Sequence, residues 1–203
     1  MCPRLVAFRR ENQVDEPGWF NGAVGSFGTA DARLLIVGLA PGRGGANKTG
    51  RPFTGDYAGD LLYATLHEFG FSRGEYDARP DDGLELIDCM ITNAVRCVPP
   101  ANKPTTAEIK QCRGFLINRI SQLKELKVIL ALGRIAHEQV LSALGERRAS
   151  YPFAHGAQHI VSGNLVLTDS YHCSRYNTNT GRLTTDMFRA VFSDVRQLLD
   201  GKS

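Results

Sequence analysis

Four runs of consecutive apolar residues punctuate the chain: Arg33–Gly38, Leu86–Val95, Val128–Gly133 and Leu165–Asp169, each closed by glycine, proline or a polar cluster. Short runs without polar alternation predict strands covered on both faces. Between them the spacing changes to that of helices. Asp60–Phe69 carries Leu61, Leu62, Ala64, Leu66 and Phe69, and Thr105-Thr106-Ala107-Glu108 reads as a capping box opening a helix to about Leu126. Helices over Ile135–Leu144 and Thr184–Leu199 follow, the last with Phe188, Val191, Phe192, Val195 and Leu199 on one face. Strands alternating with helices predict a three-layer α/β/α sandwich around a central, mostly parallel four-stranded sheet, with residues 1–203 as a single domain. In such sheets ligands collect at the carboxyl ends of the strands, so the loops after Gly38, Val95 and Asp169 should converge.

Composition adds exclusions. With 42% apolar, 22% charged and 8% aromatic residues among 203, the chain is neither disordered nor a coiled coil. No run approaches the roughly 20 apolar residues of a membrane span, and Met1-Cys2-Pro3-Arg4-Leu5 lacks a signal-peptide pattern, so a cytoplasmic protein without membrane contact is expected. A net charge of +3 is too small to argue a nucleic-acid partner by itself. Five cysteines in a chain of normal core size point away from disulfides and toward metal ligands, reactive thiols or packing.

The chemistry concentrates in three loops. The first runs from Gly38 through Pro41-Gly42 to Gly55-Asp56 and holds much of the glycine excess. Its Gly42–Thr49 segment resembles a phosphate-binding loop, but Gly50, Pro52 and Gly55 follow Lys48-Thr49 and forbid the helix that such a loop must enter. Nucleotide-phosphate hydrolysis is therefore the weaker reading. Glycines instead permit close backbone approach to a flat ligand, with Phe53 as a stacking face and Asp56 either capping the next helix or facing the ligand. In the second loop Asn93 sits in a strand, where asparagine is depleted. Its amide would either satisfy neighbouring backbone or read a base edge such as O4 and N3–H of uracil. The third, Tyr171–Leu183, is rich in hydroxyls, amides and arginines suited to phosphate contacts. Tyr176 and Leu183 are candidate wedges there, and His172 is placed to donate a hydrogen bond to a leaving group.

Taken together, Cys2–Leu5, Gly38–Pro41, Asn47–Asp56, Asn93–Cys97, Asn102–Pro104 and His172–Arg182 resemble the uracil-DNA glycosylase superfamily, most closely its type 5 branch. The resemblance spans nearly the whole chain in the family's order. It implies a monomeric, nucleoid-associated repair enzyme that flips uracil, and other deaminated bases such as hypoxanthine, out of DNA and hydrolyses the N-glycosidic bond. A non-catalytic lesion-binding module of the same fold is the alternative. Carried onto this sequence, Gly38, Leu39, Ala40, Gly42, Phe53 and Asn93 would hold the base, and Asp56 and His172 would be catalytic. Arg175, Tyr176, Asn177, Thr178, Asn179, Thr180, Gly181 and Arg182 would enter DNA. Leu39-Ala40 stands where other branches place a polar, water-positioning residue, which shifts the burden to stabilising the departing base and an oxocarbenium-like sugar.

The resemblance also implies a 4Fe-4S cluster on four cysteines. Cys2, Cys97 and Cys112 match three of them, and the fourth falls before residue 1. Cys89 is a conceivable substitute that reads more simply as core, Cys173 lies in the DNA-facing loop, and three thiolates would also suit zinc.

Overall fold

The computed structural model describes residues 2–201. All four apolar runs form parallel strands: β2 (Leu34–Gly38), β5 (Cys89–Asn93), β6 (Val128–Leu132) and β8 (Val166–Ser170), ordered β5-β2-β6-β8. Every residue of β2, β5 and β6 is buried, as runs without alternation require. The sheet has six strands rather than four. Phe27–Gly28 (β1) pairs antiparallel with β5, and Gln158–Ile160 (β7) pairs antiparallel with β8. Two- and three-residue edge strands are too short for a period-2 pattern to register. Glu85–Leu86 (β4) leaves the expected second strand and pairs with Ser72–Arg73 (β3) in a separate ribbon. Asp88, at φ +53, breaks the run there, and its carboxylate takes the Arg33 backbone N–H at 2.9 Å and the guanidinium at 2.8 Å.

The helices fall on both faces. Along β2, Leu34 and Ile36 pack with α3 (Tyr57–Glu68) and α7 (Thr185–Asp200), through Leu62, Leu66, Phe188 and Phe192. Leu35 and Val37 turn the other way, toward α4 (Thr106–Gln122) and α5 (Arg134–Leu144), through Leu116, Val140 and Leu141. Successive residues of one strand therefore feed opposite cores, which defines the three layers. Helix α4 carries the expected capping box but stops at Gln122, where Leu123 leaves helical backbone and buries its side chain. Helix α3 begins earlier than its apolar pattern suggests because Asp56 accepts the Gly59 N–H at 3.1 Å. Helix α1 (Pro3–Asp15) buries only Leu5 and Asn12, so no apolar stripe announced it. Among the described residues no helix is long and apolar enough to cross a membrane.

One polar device lies inside this fold. Arg51 and Asp82, 5% and 1% exposed at their side chains, meet with N–O distances of 2.7 and 2.6 Å. The guanidinium also lies over the rings of Phe27, Tyr63 and Tyr76 at 5.1, 5.4 and 5.8 Å. Breaking such a pair strands a buried charge. Asp82→Ala should therefore cost about 3 kcal/mol in urea unfolding at neutral pH. Arg51 holds the Asp82 carboxyl well below the usual carboxylate range. The contribution is thus present above the unfolded-state pKa of about 4 and is lost as pH falls through the lower folded value. A variant as stable as wild type at pH 7 would contradict this.

Candidate active site

The ladder between β2 and β5 ends with Gly38 opposite Asn93 and continues through Ala94 N–H to Gly38 O and Val95 N–H to Leu39 O, both 2.9 Å. The first two loops thus leave the sheet side by side. A Cβ on Gly38 would collide with Asn93 Oδ1 and lie 2.6 Å from Phe53 Cζ. The missing side chain is what lets Phe53 and Asn93 meet over the strand end. Gly38 itself backs the site and does not line it, because its buried position lies beneath those two side chains.

The glycine loop then makes one helical turn, α2 (Ala46–Thr49), ended by Gly50 at φ +80. Within it Asn47 is buried and donates to Asn21 Oδ1 at 2.9 Å, while exposed Lys48 lies 5.8 Å from the Trp19 ring. These residues brace the loop, with Lys48 turned to Trp19. Past Gly50 the chain reaches Phe53, a buried aromatic at φ +54, a region L-residues avoid. Its neighbours hold it there: Tyr63 Oη–H donates to Pro52 O at 2.6 Å, Tyr76 Oη–H to Phe53 O at 3.4 Å, and Arg51 Nε–H to Thr54 Oγ1 at 2.7 Å. Half-buried Asp56 follows. Burial raises its pKa, against the opposing Gly59 N–H. A Cβ on Gly45 would collide with Asp56 Oδ2.

His172 arrives from the third loop, just beyond β8. Its ring stacks with Phe53 at 5.9 Å between centroids and 27° between planes. Nδ1 is buried without a hydrogen-bond partner, and burial lowers the pKa to about 4. The loop that sequence left irregular contains a short helix, α6 (Arg175–Asn179), capped by Ser174. Arg175, Tyr176, Asn179, Thr180, Gly181 and Arg182 are exposed, Tyr176 at 73%. Arg175 lies 5.5 Å over Tyr57 and Arg182 4.7 Å over Tyr171. Asn177 and Thr178 are half-buried: Asn177 Nδ2 donates to His172 O at 2.8 Å, and the Thr178 and Thr180 hydroxyls donate to carbonyls of their own turn. Leu183, expected as a wedge, is buried with α7, and Cys173 donates to Ala58 O at 3.4 Å inside the same core. Neither faces a ligand.

Leu39, Ala40, Gly42, Phe53, Asp56, Asn93 and His172 line one cleft of about 550 Å³. That size suits a small ligand. Asn93 Oδ1 is buried there without a partner. Gly45, Tyr57, Asn102 and Ser174 join the lining without having been singled out. Gly45, Asn102 and Ser174 lay inside the stretches singled out in the sequence, whereas Tyr57 carried no signal beyond its place next to Asp56.

Cys2, Cys97 and Cys112 gather at another corner with Leu5, Val95 and Ile109. Each of the Cys97 and Cys112 thiols is pushed up chiefly by burial and further by the charge of Cys2. Arg4 clamps this corner, donating to both Glu108 carboxylate oxygens at 2.8 and 2.7 Å. Cys89 and Cys173 are fully buried in a different cluster, the core beneath α3 and α7.

The sequence pattern of the uracil DNA glycosylase superfamily matches residues 25–196. The chain belongs to the uracil-DNA glycosylase superfamily. Among its relatives, a type-5 uracil-DNA glycosylase of Thermus thermophilus is 46% identical over 98% of this chain and 92% of its own length. Another type-5 uracil-DNA glycosylase, from Pyrobaculum aerophilum, is 37% identical over 94% and 84%. A type-4 uracil-DNA glycosylase of Sulfurisphaera tokodaii reaches 30% over 83% and 73%. In this superfamily member the depressed His172 pKa has a measurable consequence. Its ring should stay neutral down to about pH 4 when followed by proton NMR. Because the unfolded chain binds that proton near pH 6.5, stability should fall as pH drops from there toward 4. Titration of the folded-state ring near 6.5 would refute the burial argument.

Proposed function

We propose that this chain excises uracil from DNA, and that the cleft formed by Phe53, Asn93, Asp56 and His172 receives the flipped base. The observation that carries the reading is the unpartnered Asn93 Oδ1 at the floor of that cleft. A buried acceptor beside an amide donor complements N3–H and O4 of uracil. Phe53, fixed by its strained turn, supplies the flat face against which the base stacks.

Bond cleavage follows from the same groups. Uracil departs with negative charge while the sugar becomes oxocarbenium-like. Neutral His172 has one ring N–H to offer that charge, and a preorganised donor in a water-poor site is worth about 3 kcal/mol. Asp56, at the N-terminus of α3, lies on the glycine-loop side of the cleft, where its carboxylate stabilises the cationic sugar and orients water. Leu39 and Ala40 offer no side-chain polar group, consistent with a reaction driven by the leaving group. The exposed α6 segment, with Arg175, Tyr176 and Arg182, is the surface that would meet the DNA backbone and the gap left by the base. Hypoxanthine and other deaminated bases belong to the same proposal, as does action by a single, monomeric domain.

Chromatography of free uracil released from a single-uracil oligonucleotide tests this. Wild type should release uracil, whereas Asn93→Ala and His172→Ala should each lose on the order of 100-fold in kcat/KM. Lys48→Ala, on the exposed brace, should stay within a few fold. Binding without release would leave only a lesion-binding module, and an unimpaired Asn93→Ala would remove the base-reading assignment.

The cysteine corner fits three positions of a 4Fe-4S cluster, because Cys2, Cys97 and Cys112 pack into one small apolar cluster beside a fixed helix end. Cys2, Cys97 and Cys112 would hold it, and its contribution would be structural cross-linking of α1 to α4 and the loop after β5. Cys97→Ser should abolish brown colour and iron content and lower Tm. Undiminished iron would exclude Cys97 as a ligand.

A further inference from the structure

Three side chains that the cleft does not use meet beneath the loop carrying His172: His137 of α5, His159 of β7 and Asp169 of β8. Their ligand atoms lie within 4.8 Å of one another. Asp169 is fully buried and His137 is 2% exposed. A buried carboxylate requires compensating positive charge. Among the described residues its ion-pair partners are His137, with Nδ1 at 2.7 Å from Oδ1, and His159, with Nε2 at 3.4 Å from Oδ2.

The hydrogen bonding of His137 sharpens this. Nε2 faces Tyr151 O at 2.9 Å. A carbonyl only accepts, so Nε2 carries the N–H and a neutral ring has its lone pair on Nδ1. That lone pair would face Asp169 Oδ1, a contact satisfied either by a proton on Nδ1 or by a metal ion beside it, and for a metal the 2.7 Å spacing has to open toward about 3.3 Å. A ring nitrogen donating to a backbone carbonyl while the other faces outward is the usual orientation of a metal-ligating histidine. Asp169 Oδ2 and His159 Nε2 are both buried without a hydrogen-bond partner. Their 3.4 Å separation is close to the roughly 3.3 Å between ligands on tetrahedral zinc with bonds of about 2.0 Å. The two imidazole centroids lie 5.7 Å apart at 64°, so both rings face the same small volume.

We propose that His137, His159 and Asp169 bind a zinc ion, cross-linking α5, the edge strand β7 and β8. The site is distinct from the cysteine corner in both position and donor type. Nitrogen and carboxylate donors suit zinc, which accepts three protein ligands and a water. Its role is structural: β7 is three residues long with Ile160 75% exposed, so its packing alone anchors it weakly.

The test counts zinc in the full chain after chelation, reloading with zinc chloride and removal of excess, in wild type, His159→Ala and Cys97→Ser. His159 is half-buried on an edge strand, so its removal spares the core; Asp169→Asn is the second variant, with folding checked by circular dichroism. Both His159→Ala and Asp169→Asn should hold one zinc fewer per chain than wild type, and Cys97→Ser should retain that ion. Added zinc should raise the Tm of Cys97→Ser by several degrees and leave that of the Cys97→Ser/His159→Ala double variant unchanged. Equal zinc in wild type and His159→Ala, or zinc lost only with Cys97, would overturn the proposal and leave a protein-only His–Asp–His network.

Discussion

The last rung of the β2–β5 ladder constrains everything built above it. Gly38 stands opposite Asn93, and its bare Cα is the space into which the Asn93 amide and the Phe53 ring both fit. A one-residue slip would turn Asn93 to the other face and move the glycine from beneath Phe53. Register is secured by full burial of both strands and by the outward continuation of the ladder to Val95. Geometry at the base of the cleft is therefore set by two fully buried strands, and loops need only complete it.

Completion has an energetic cost that the fold meets locally. Phe53 occupies left-handed backbone, which costs about 1 kcal/mol or more for a bulky residue. Hydrogen bonds from Tyr63, Tyr76 and Arg51 surround it, and Arg51 is itself fixed by Asp82 and three aromatic rings. His172 and Asp56 are desolvated in opposite senses. Burial favours the neutral imidazole, and it raises the pKa of the carboxyl from its ordinary value. A donor without net charge beside a half-buried acid is an arrangement for handling charge that exists only during reaction.

Much of this was legible because it rests on periodicity and unusual residue choices. Unbroken apolar runs gave the four parallel strands, the Thr105–Glu108 box gave the start of α4, and an asparagine in a strand marked Asn93. What stayed hidden depends on partners far apart in the chain. Helix α1 has almost no apolar face, β1 and β7 are too short to show a period, and the strain at Phe53 follows from contacts made by Tyr63 and Tyr76. Leu183 was misplaced as a wedge because its polar neighbours masked the start of the α7 core contact. The meeting of His137, His159 and Asp169 likewise needed three separate elements to come together.

The most direct measurement is a crystal structure of the chain with free uracil. The base should lie against the Phe53 ring, with its O4 and N3–H edge on the Asn93 amide and its N1 side toward His172. Uracil bound outside that cleft, or within it but with Asn93 unengaged, would contradict the account.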